Sequence, residues 1–117
     1  MGWFSKTDGG FFLATVVPDT EAARVAQYVG IVHGEAIIGA NIFRDMFSTV
    51  RDVVGGRAGG YERALSGARD AALKDMMEAA RELGADGIVG IDFDYEVLGE
   101  TNGMMMVAVS GTGAKMA

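Results

Sequence analysis

Apolar residues recur along this chain with two different periods, and the change from one to the other marks the elements. Phe11 to Val17 is a short, nearly unbroken apolar run closed by Pro18-Asp19, and it predicts a buried strand. Thr20 to Arg24 shows no clear period. Val25 to Gly39 is long, apolar and β-branched, which predicts a strand; Gly30 and Gly34 inside it predict a bulge or bend. From Ile42 to Val54 the period becomes helical. Ile42, Phe43, Met46, Phe47, Val50, Val53 and Val54 fall within about 140° of a helical wheel, and Asn41 stands at the N-cap position. The glycine-rich loop around Arg57 ends that helix, and Tyr61 to Leu83 starts a second one of about 35 Å. Its stripe is Tyr61, Leu65, Ala68, Ala72, Met76, Ala79 and Leu83, with Gly84 as C-cap. Val89 to Val97 then alternates, with Val89, Ile91, Phe93, Tyr95 and Val97 on one face and Asp92, Asp94 and Glu96 on the other. Thr101-Asn102-Gly103 reads as a turn into a partner strand from Met104 to Gly111.

These elements describe an α+β domain: a two-layer sandwich with a mainly antiparallel sheet of about four strands and two helices on one face. Residues 11–117 form a single domain, with 1–10 as a flexible N-terminal arm. The apolar surface exceeds what one such domain hides. Ile88 and Leu98 share the parity of the acidic residues, and Met104 to Val107 is apolar on both faces, so a homo-oligomer is expected.

Composition narrows the function more than it defines it. At 117 residues, with half of them apolar, the chain has enough material for one core. It has no cysteine, which removes disulfides and thiolate chemistry. The formal charge is −6, and no basic cluster stands out, so nucleic acid is disfavoured as a partner. No run reaches the ~18 apolar residues of a membrane span, and Met1 to Gly10 has no signal-peptide pattern. A cytoplasmic protein is the expectation.

Four groups carry candidate chemistry. Asp92, Asp94 and Glu96 share one strand face about 7 Å apart; they are candidate ligands for a divalent metal ion, with His33 and Glu35 as contributors. The competing reading is a solvated or arginine-paired acidic face. Arg44 and Arg51, about 10 Å apart on one helix flank, read as structural or inter-subunit pairing residues. Gly55, Gly56 and Arg57, just before a helix N-terminus, offer backbone N–H groups and a guanidinium to an anion. Trp3 and Phe4 form a docking arm for a protein partner or fold back on their own subunit. No nucleophile–base set is recognisable, which points away from an enzyme.

Several blocks in register give the chain a family likeness. They are Gly30-Ile31-Val32-His33-Gly34-Glu35-Ala36, Gly39-Ala40-Asn41-Ile42-Phe43-Arg44-Asp45, Gly55-Gly56-Arg57, Tyr61-Glu62, Gly84-Ala85-Asp86, Gly90-Ile91-Asp92-Phe93-Asp94-Tyr95-Glu96 and Val109-Ser110-Gly111-Thr112. In these the chain resembles the bacterial YbjQ-like family from about Phe12 to Lys115. The resemblance implies a dodecin-like fold, a ring-shaped homopentamer and the family's label of "putative heavy-metal-binding". Two departures are Met1 to Gly10, which extends past the family's usual start, and Gly113-Ala114 in place of Ala-Val. The donor set also sits badly with the label, because heavy metals prefer sulfur and imidazole and the chain has one histidine and no cysteine.

Overall fold

The structure, a computed structural model, describes residues 5–39, 59–98 and 104–117. Five strands form one mixed sheet: β1 (Ser5–Asp8), β2 (Phe11–Ala14), β3 (Val25–Ile38), β4 (Gly87–Leu98) and β5 (Met104–Met116), in the order β1-β2-β4-β5-β3. Among the described residues there is one helix, α1 (Gly59–Glu82), packed on one face of the sheet. The α+β expectation holds in that form. The first predicted helix, Ile42 to Val54, lies outside the described residues, as do Asn41 and the turn at Thr101-Asn102-Gly103.

The sheet is wider than the hydrophobic pattern predicts because a polar segment joins it. Ser5–Asp8, placed in a flexible arm by its composition, pairs antiparallel with Phe11–Ala14, Asp8 opposite Phe11. Gly9 and Gly10 both have positive φ, 60° and 83°, the backbone of the two-residue turn that best matches strand twist. The signal was the Gly-Gly pair, not the residues it pairs. β2 then runs parallel to β4, which makes the sheet mixed. β3 and β4 run the same way with β5 inserted antiparallel between them, so β3–α1–β4 is a split β-α-β unit.

α1 lies over β3 and β5, and the approach is unusually close. A Cβ placed on Gly34 would collide with the carbonyl oxygen of Ala72 and come within 2.7 Å of the Met76 nitrogen. Gly34 therefore marks helix contact, not the predicted bend. The bulges in β3 fall at Val25–Gln27 and Tyr28–Gly30, and Gly30 (φ 148°) takes a conformation that favours glycine. The buried stripe of α1 is Ala68, Ala72, Leu73, Met76, Met77 and Ala80; it meets Val32, Val107 and Val109 of the sheet. Leu83, expected in the stripe, is instead exposed because it sits in the helix cap. There Gly84 N–H donates to Arg81 O (2.9 Å) and Ala85 N–H to Ala80 O (3.0 Å), a Schellman motif with Gly84 at φ 83°.

β4 also departs from simple alternation. Val89 pairs with Thr112 and Asp92 with Ser110, so Gly90 and Ile91 together oppose Gly111, with Gly90 at φ 64°. This glycine bulge puts Ile88 and Ile91 on the helix-covered face and Val89 on the other. Ile88 is fully buried, so it adds nothing to the surplus apolar surface expected from its parity.

Two packing predictions follow from α1. Replacing Gly34→Ala should lower stability by about 1–3 kcal/mol in urea unfolding, since backbone must move. Gly67→Ala, on the exposed side of α1 with nothing within 4 Å of the added carbon, should raise it by about 1 kcal/mol. The edge strand β3 gives a third. Glu35 N–H donates to Asp75 Oδ2 at 3.2 Å, which caps part of an edge that pairs with no further strand among the described residues. Asp75→Ala should cost about 1 kcal/mol and speed the exchange of the Glu35 amide in a hydrogen-exchange measurement.

Candidate functional site

The face of β3, β5 and β4 turned away from α1 collects the acidic and imidazole side chains predicted as metal ligands. Strand register fixes who stands beside whom. His33, Ser110 and Asp92 form one row across the three strands; Glu35, Ala108 and Asp94 form the next; Ile37, Met106 and Glu96 form the third. Neighbouring strands are about 4.8 Å apart, so His33 and Asp92 stand about 10 Å apart across Ser110, and successive rows are about 7 Å apart. His33, Glu35, Asp92, Asp94 and Glu96 are all exposed.

β4 holds its three carboxylates in one line because the bulge at Gly90 lies before them and the alternation is unbroken from Asp92 onward. β3 presents His33 and Glu35 to the same side because Gly34 between them turns inward against α1. The two halves of the predicted set therefore share a face and a register. They do not form a closed site. Among the described residues no three His, Asp or Glu side chains come together to hold an ion. Hard divalent ions take six or more oxygens, and heavy-metal ions favour sulfur and imidazole. The donors described on this face fit neither set. Arg44, Arg51, Gly55, Gly56 and Arg57, and likewise Trp3 and Phe4, lie outside the described residues.

The opposite face holds a second arrangement that hydrophobic patterning did not single out. β2 ends at Ala14, so β4 beyond Ile91 has no named strand beside it on that side among the described residues, and α1 lies towards β3 and β5. A groove of about 300 Å³ there has Thr15, Arg69, Phe93 and Tyr95 as its described lining, and one of about 340 Å³ has Leu65, Arg69, Tyr95 and Met105. Arg69 and Tyr95 belong to both. Arg69 Nη1 donates to Tyr95 Oη at 3.3 Å. The aromatic residues were legible as a strand face, but their meeting with Arg69 depends on how α1 crosses β4.

No helix among the described residues is long and apolar enough to cross a membrane.

Comparison with known proteins bears on the fold and the family. A crystal structure of a protein of unknown function from Pediococcus pentosaceus ATCC 25745, assigned to the DUF74 family, is similar over 92% of this chain and 99% of that one, with a TM-score of 0.56 and 17% identity. At that identity the likeness is one of fold. The YbjQ family model, described as "Putative heavy-metal-binding", matches residues 12–117. The chain therefore belongs to the YbjQ-like family.

Proposed function

We propose that this chain is a non-enzymatic, cytoplasmic homo-oligomer, a ring of five subunits of dodecin-like fold, that serves as a binding or scaffold module. The observation that carries the reading is the exposure of large apolar side chains on the long strands. Ile31 is 82% exposed on the face of β3 turned away from α1, Ile37 and Val97 are each 57% exposed, and Tyr28 is 56% exposed. Surplus apolar surface of this kind marks an interface. The subunit number comes from the family resemblance. The net charge of −6 supports a protein or small-molecule partner over nucleic acid. Trp3 and Phe4 are the proposed docking arm, Gly55, Gly56 and Arg57 the proposed anion loop, and Arg44 and Arg51 the proposed pairing residues between subunits.

A native mass spectrum of the untagged protein should show five times the 12.3 kDa subunit. Ile31→Asp, which replaces the most exposed of these apolar side chains by a charge, should shift the protein to monomer with its circular dichroism unchanged. A wild-type monomer at micromolar concentration, or an Ile31→Asp variant that still assembles, counts against this face as the interface.

A second reading rests on the rows His33–Ser110–Asp92 and Glu35–Ala108–Asp94. Because one subunit does not close a site, a divalent ion would have to be held where such rows from adjoining subunits converge. The double variant Asp92→Asn, Asp94→Asn should then lose metal as measured by inductively coupled plasma mass spectrometry, with the assembly intact. Metal content equal to that of the wild type removes this reading.

A further inference from the structure

We draw no further inference here: the strongest candidate, the groove between α1 and β4, has Arg69 and Tyr95 bonded to each other and Thr15 and Phe93 engaged by partners of their own, so its described lining selects no ligand.

Discussion

The contact between the backbone of α1 and Gly34 of β3 sets the geometry of everything else. With no side chain at residue 34, the helix comes down until the Ala72 carbonyl and the Met76 nitrogen occupy the space a Cβ would need. Ala68, Ala72 and Ala80 make the same approach possible from the helix side, because each is small enough for backbones to pack closely. This closeness lets a side chain as short as Asp75 reach past the sheet edge to the Glu35 amide. It also draws the helix over β3 and β5, so that among the described residues α1 meets the β4 side of the same face through Arg69 and Tyr95.

Glycine performs a second task in β4. The bulge at Gly90 changes which face each residue takes, so that Ile88 and Ile91 both enter the core while Asp92 starts an unbroken solvent-facing alternation. Gly111 opposite them provides the room: a Cβ there would meet Ile88 at 2.6 Å and Ile91 at 3.4 Å. A single backbone irregularity thus completes the core and aligns the acidic row. The two faces of the sheet are specialised as a result, with carboxylates, His33 and exposed isoleucines on one, and the helix and the Arg69–Tyr95 groove on the other.

Family membership and site chemistry carry different weight. Membership is established over residues 12–117 and accounts for the fold. The family's metal description finds little purchase in the chain's own donors, since there is no cysteine and the imidazole stands about 10 Å across the sheet from the nearest aligned carboxylate of β4. Stability and function also pull apart here. The exposed Ile31 and Ile37 lie outside the buried core, so the core gives no reason for their being apolar.

By itself the sequence determined the α+β class, the long strands, the extent of α1 to within two residues, the Gly84 cap, and the sharing of one strand face by Asp92, Asp94 and Glu96. These follow from side-chain periodicity and from glycine's backbone freedom, both of which are local. Tertiary structure decided the rest. Which strand neighbours which, and hence that His33 lines up with Asp92 across Ser110, depends on pairing between segments far apart in the chain. The edge strand Ser5–Asp8 was hidden because its residues have little strand preference; it is held by a turn and a neighbour, not by its own composition. Gly34 looked like a bend because a missing side chain signals either curvature or contact, and only the position of α1 tells them apart. The pairing of Arg69 with Tyr95 was invisible for the same reason: it exists only because the helix crosses the sheet at one depth and one angle.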